Sequence, residues 1–261
     1  MSMSPRKRAR VARGVQYVLL AAVVLVFVLL ADWGEIRRAF FDLDVAREQF
    51  PDVITVAFKN TVIYTVLGFG FALGLGLLIA LMRLSSVAPN RWLAIGFVEI
   101  FRGLPALLVF IALGYGVPYA FQVNIDIYVT VMLALGLVGG AYIAETIRAG
   151  LQAVPRGQVE AARSLGMSQA RTMVSIVIPQ AFRIILPPLT NELILLTKDS
   201  SLIYLLGLSI DQYELTKYGR DALNESRSLT PVMIAGLCYL IITVPLGQLV
   251  RRLEARTARA R

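Results

Sequence analysis

Asn191 and Glu192 stand inside an apolar run just after Pro187-Pro188, and Thr197, Lys198, Asp199, Ser200 and Ser201 lie a turn or two beyond them. A carboxylate there accepts hydrogen bonds from an ammonium group, while amide, hydroxyl and ammonium groups donate to a carboxylate. The set therefore offers both acceptors and donors to a small polar solute. Thr61 adds a hydroxyl from an earlier apolar run, and Glu145, three residues before Arg148, adds a carboxylate from another. Ionisable groups in such runs are costly and face a cavity, a partner or each other. Glu145 fits a pathway role or a same-face pair with Arg148 equally well. Glu99, Arg102, Arg148 and Arg183 fall near the ends of runs, where long side chains reach the polar boundary.

Other chemistries are excluded by what is missing. The chain has no histidine and a single cysteine, Cys238, so neither a histidine-ligated metal site nor an intrachain disulfide is available. No G-x-x-x-x-G-K-[ST] phosphate loop occurs, so the chain carries no ATP site of that kind. Gly68, Gly70, Gly74 and Gly76 lie in an apolar stretch, where Gly70 and Gly74 suit a small-residue packing face. The net charge of +9 is spread along the flanks of apolar runs. It points to membrane topology and away from nucleic acid.

The elements that must position these groups are membrane helices. Of 261 residues, 57% are hydrophobic and only 16% charged, well below the usual share for a soluble domain. Apolar runs predict six crossings at about 14–32, 56–82, 92–114, 125–148, 181–205 and 231–250, each near the length that spans roughly 30 Å of hydrocarbon. The third contains Glu99, Arg102 and the ladder-breaking Pro105. The first follows a basic head and lacks a small-residue cleavage site, which reads as an uncleaved signal anchor. Segments 1–13, 83–91, 148–183 and 251–261 hold five, two, five and five Arg or Lys against two carboxylates in all. Segments 32–59 and 198–230 each hold four against six and five. The positive-inside rule then puts both termini in the cytoplasm. Trp33, Phe40 and Phe41 suit the membrane interface, and a short helix is expected between 206 and 230.

Between the fourth and fifth crossings lies a long polar insertion. Residues 158–165 suit a short helix whose apolar stripe is Val159, Ala162 and Leu165. Gly166 stops it, Ser168 caps a second helix, and Pro179 allows a bend into the next crossing.

Glu160-Ala161-Ala162, Gly166 and Ile176 with Ile178-Pro179 resemble the EAA loop of permease subunits in bacterial ABC importers. Phe101-Arg102-Gly103-Leu104-Pro105, Ala141-Tyr142-Ile143-Ala144-Glu145, Val154-Pro155-Arg156-Gly157-Gln158 and Lys198-Asp199-Ser200-Ser201-Leu202 resemble segments of the polar amino acid uptake subfamily. The resemblance covers about 55–250. It implies an all-α membrane protein with a type I ABC importer transmembrane domain, six helices comprising a five-helix core plus one at the N-terminus. The expected organisation is a basic head, helix and extracytoplasmic segment over 1–54, the permease domain over 55–250 with its loop at 155–179, and a basic tail over 251–261.

The same resemblance implies that Arg156, Gly157, Glu160, Ala161, Ala162, Arg163 and Gly166 meet an ATPase. Thr61, Glu145, Asn191, Glu192, Thr197, Lys198, Asp199, Ser200 and Ser201 would line the solute route. ATP and Mg would be bound by the two ATPase subunits, with no cofactor in this chain. A second permease copy or sister permease and an extracytoplasmic solute-binding protein would complete the importer in the bacterial inner membrane. Glutamine, glutamate or basic amino acids are the expected solutes, with ectoine-like or opine-like zwitterions as the alternative. An ion-coupled secondary carrier would need internally repeated broken helices, and no such repeat is evident.

Overall fold

The structure of the protein is a computed structural model that describes residues 5–259, with side-chain surroundings from 12 to 255. Eleven helices, besides a single 3₁₀ turn at Ile210–Gln212, order the described chain. They are α1 (Pro5–Leu30), α2 (Trp33–Phe40), α3 (Leu43–Glu48), α4 (Val53–Leu84), α5 (Ala88–Gly103), α6 (Ala106–Phe121) and α7 (Ile127–Gln152). After these come α8 (Arg156–Ser164), α9 (Gln169–Leu205), α10 (Leu215–Ser226) and α11 (Thr230–Arg259). Five helices are long and apolar enough to cross a membrane, and the α5–α6 pair makes a sixth candidate.

Two crossings differ from the sequence expectation. The span expected over 92–114 is broken: α5 and α6 meet at 104°. Leu104 is extended at the junction (φ −89°, ψ 139°) and Pro105 has no N–H to continue the ladder, so the chain turns there. The fifth span is longer than expected, because the helix capped by Ser168 runs into it without the bend foreseen at Pro179. A π-turn over Met173–Val177 absorbs the junction, and Pro179 sits in the first turn of the α-helical stretch that follows, where its missing donor costs little. Pro187 and Pro188 lie within that stretch without ending it.

The bundle is built around the contact of α4 with α7. A Cβ added to Gly68 would come within 2.5 Å of Leu135 Cβ, and one added to Gly76 within 2.7 Å of Ile143 Cγ2. Gly70 and Gly74, the pair expected to pack, instead face open space. Tyr64, Ala72, Leu135, Ile143 and Leu196 form the buried core of this contact, with α9 laid against it. In contrast, α1 buries none of its apolar window. Trp33 Nε1 donates to Val28 O at 2.9 Å, and Leu229 N to Ala39 O at 2.7 Å ties α2 to the start of α11.

The connector between α9 and α11 hangs on α4. Asn60 Nδ2 donates to Asp211 O and Tyr213 O at 2.7 and 3.0 Å, and Tyr64 OH to Gln212 O at 2.9 Å. Leu215 N donates to Thr61 Oγ1 at 3.1 Å. Glu214, fully buried, caps α10 by accepting from Thr216 N and Lys217 N at 2.6 and 2.7 Å and from Tyr239 OH at 3.0 Å. Burial nevertheless pushes its carboxyl up to about 7. Because the folded value exceeds the ordinary 4.5, the folded state holds a proton that the unfolded state has lost. Glu214 therefore contributes stability below pH 4.5 that disappears as pH rises through about 7. Thermal unfolding in detergent should show Glu214→Gln losing that dependence while the unmutated chain keeps it.

Candidate functional site: a polar cavity and an exposed hairpin

Two sites stand at different depths in the bundle. The first is a cavity of about 350 Å³ where the α5–α6 break faces α7 and α9. Leu104, Pro105, Tyr142, Leu196, Glu192 and Asp199 line it. Glu192 and Asp199 lie two turns apart on α9, so both carboxylates reach the same space, and each is half-buried. Neither makes an ion pair among the described residues. Beside the cavity the Arg102 guanidinium lies 5.3 Å from the centre of the Tyr142 ring.

The remaining candidates from the sequence divide cleanly. Asn191 and Lys198 are exposed and Ser201 is half-buried. Thr197 and Ser200 are fully buried and donate back to Leu193 O and Thr197 O at 2.8 and 2.7 Å. Thr61 is fully buried, donates to Ala57 O at 2.9 Å and holds the connector through Leu215 N. Glu145 is absent from the cavity wall. It accepts from Arg148 Nη2 at 2.8 Å and also bonds Arg83. Sequence reasoning missed Tyr142, Leu104 and Pro105 as wall residues. The kink that brings Leu104 and Pro105 to the wall was signalled by Pro105, but a strong bend had to be distinguished from a tolerated proline.

The second site is the hairpin of α8 and the start of α9. Ala162 is buried, and Val159 is half-buried against the cluster of Val154 and Val177. Leu165, expected in the same apolar stripe, is instead 84% exposed. The helix has already ended there: Met167 N bonds Ala162 O at 3.1 Å and Gly166 takes φ +80°, the left-handed C-terminal stop. Arg163 Nη1 donates to Met167 O at 2.6 Å and closes the turn. Arg156, Gly157, Glu160, Ala161 and Arg163 are all exposed, and Gln158 bonds Gln180 of α9. Arg156 and Arg163 also line a recess of about 550 Å³ with Leu151, Val159 and Met173. The hairpin thus offers Ala161, one carboxylate and two guanidinium groups on a short helix, with an exposed leucine at its end.

Residues 72–259 match the model of the binding-protein-dependent transport system inner membrane component family. The chain belongs to that family. It is 35% identical over 202 residues to the probable glutamine ABC transporter permease protein GlnM of Bacillus subtilis, covering 76% of this chain and 90% of the relative. It is 32% identical over 218 residues to the arginine transport system permease protein ArtQ of the same organism, covering 82% and 96%. Among solved structures, an amino acid ABC transporter crystallised with histidines matches at a TM-score of 0.74 and 34% identity. That match covers 82% of this chain and 98% of the other. The chain is accordingly an inner-membrane ABC permease with a type I importer fold.

Gly166→Ala should strain the left-handed stop by roughly 1–2 kcal/mol. Hydrogen exchange should then quicken over 155–168 and leave α4 and α7 unchanged.

Proposed function

We propose that this chain is the membrane-spanning subunit of an ATP-driven importer of polar amino acids, with glutamine, glutamate or basic amino acids as the solutes. The observation that carries the reading is the exposed α8 hairpin within a chain of the permease family. A short capped helix with Ala161 and Leu165 outward is shaped to seat in a groove of another protein, and Glu160, Arg156 and Arg163 can pair with charges there. Two ATPase subunits, which bind ATP and Mg, would dock on this hairpin, since the chain has no phosphate loop of its own. A second copy or a sister permease would complete the translocation path, and a solute-binding protein would deliver from the opposite side.

The positive-inside asymmetry supports both termini and the hairpin lying in the cytoplasm, and the 206–229 connector lying outside. Within the chain, 1–54 would be a head, membrane helix and outer segment, 55–250 the permease domain with its loop at 155–179, and 251–261 a cytoplasmic tail. Glu192 and Asp199 support amino acid passage because two half-buried carboxylates, neither in an ion pair, form an acceptor for an ammonium group. Coupling follows if ATPase closure displaces α8 and the helices around the cavity reopen toward the other side.

Co-purification of permease with its ATPase should be lost in Glu160→Lys; retention at the unmutated level would sink the docking role. In proteoliposomes, Glu192→Gln should lower uptake of labelled glutamine or arginine by about tenfold, the loss expected for one charge-assisted hydrogen bond. Unchanged uptake would remove Glu192 from the route.

A further inference from the structure

Glu145 is the centre of the densest charge cluster between the helices. Arg83, the residue before the end of α4, bonds its Oε1. Arg148, one turn along α7, reaches Oε2 through Nη2 at 2.8 Å and both oxygens through Nε at 3.2 and 3.3 Å. Arg148 Nη1 continues to Gln152 Oε1 at 2.6 Å, at the last residue of α7. Arg102, at the end of α5, lies within electrostatic reach of Glu145 and stacks on Tyr142, one turn before it. One carboxylate therefore pairs guanidinium groups from α4 and α7, while Arg102 of α5 rests on the Tyr142 ring of α7.

The position of this cluster matters more than its strength. Gln152, where its hydrogen bonds end, is only three residues short of α8. The side chains of Arg83, Glu145 and Arg148 are 20, 18 and 27% exposed, so water screens them weakly. Without the negative charge, the guanidinium groups of Arg83 and Arg148 would be left facing one another in a half-dry site, and α4 would be pushed off α7 there. With it, α4 is tied to α7 at the end nearest the hairpin, where Arg102 of α5 also rests on Tyr142. The cavity of Glu192 and Asp199 is walled by two of those three elements together with α9.

We propose that Glu145 is a positioning residue that locks Arg83 of α4 to Arg148 of α7, beside the contact of Arg102 of α5 with Tyr142, so that displacement of α8 by the ATPase reaches the solute cavity. The proposal rests on the coupling reading of α8 and takes Glu145 out of the solute route. When the lock is absent, the hairpin still moves with each round of ATP hydrolysis, but α4 lags behind it. Hydrolysis then continues without transport.

The test uses the complete importer, with ATPase and binding protein, in proteoliposomes. ATP hydrolysed per solute taken up is measured with labelled glutamine or arginine, whichever the unmutated importer accumulates. The ratio of hydrolysis with and without binding protein is measured alongside. Glu145→Gln should raise ATP consumed per solute roughly tenfold, within the range of ordinary couplings between sites, and should flatten the response to binding protein. Arg83→Gln should do the same to within about twofold, and the double variant should be no worse than either single one, as two members of one contact behave. Glu145→Asp, which keeps the charge, should recover most of the coupling. Unchanged ATP per solute in Glu145→Gln would overturn the proposal, as would additive losses in the double variant. So would uptake and hydrolysis falling in step, since that is the signature of a complex that has merely come apart. A failed docking role for α8 is seen separately, as ATPase retained by Glu160→Lys.

Discussion

The close approach of α4 and α7 is the constraint on which the rest of the molecule depends. In lipid there is little hydrophobic gain in pressing two apolar helices together, so their association rests on contact distance. Gly68 and Gly76 on α4 admit Leu135 and Ile143 at distances no side chain would allow, and Gly136 on α7 admits Phe71 in return. Everything else is referred to that seam. The connector is hung from α4 through Asn60, Thr61 and Tyr64; α9 lies along the seam with Leu196 in its core; and the cluster around Glu145 closes its far end. Both polar sites therefore have a fixed reference in an otherwise greasy bundle.

Burial in this chain sorts polar groups by whether their hydrogen bonds are complete. Thr61, Thr197 and Ser200 disappear into the interior because a hydroxyl can return its proton to a carbonyl of its own or the preceding helical turn, which leaves nothing unsatisfied. A carboxylate has no such local remedy. Glu145 satisfies itself with arginines and Glu214 with two backbone N–H groups and a tyrosine. Glu192 and Asp199, lacking such partners, stay at a cavity wall. The same rule separates structural from functional candidates: hydroxyls in membrane helices are weak indicators of a route, whereas half-buried carboxylates outside any ion pair are strong ones.

Much of the architecture was legible in residue patterns because hydrocarbon imposes long uniform runs. The crossings expected at 56–82 and 125–148 differ from Val53–Leu84 and Ile127–Gln152 by only a few residues. The hairpin was legible too, since Gly166 and Ser168 carry local stop and start chemistry, and the glycine takes the left-handed conformation. What failed was three-dimensional register. Gly70 and Gly74 match a packing pattern as well as Gly68 and Gly76 do, and only the direction of α7 decides between them. Pro105 breaks its helix by a right-angle turn while Pro187 and Pro188 do not, because Leu104 takes an extended conformation and the residues before Pro187 remain helical. Leu165 fits a three-residue apolar spacing, yet the helix ends under it and turns it outward. For Glu145, spacing pointed to Arg148 but was silent on Arg83, which lies 62 residues away in sequence.

The isolation of α1 has a consequence for how its sequence can change. Within this chain no apolar side chain of its window is enclosed by another helix, and its C-terminal end is fastened through Trp33 and the short helices that follow. Oil solubility is then the main demand on residues 15–30, because fluid acyl chains adapt to any aliphatic shape whereas a packed neighbour would not. Leucine, valine, phenylalanine and alanine become interchangeable along that stretch, and drift there would be nearly silent. The glycine seam of α4 and α7 tolerates no such exchange, so one polypeptide carries two very different tempos of permissible variation.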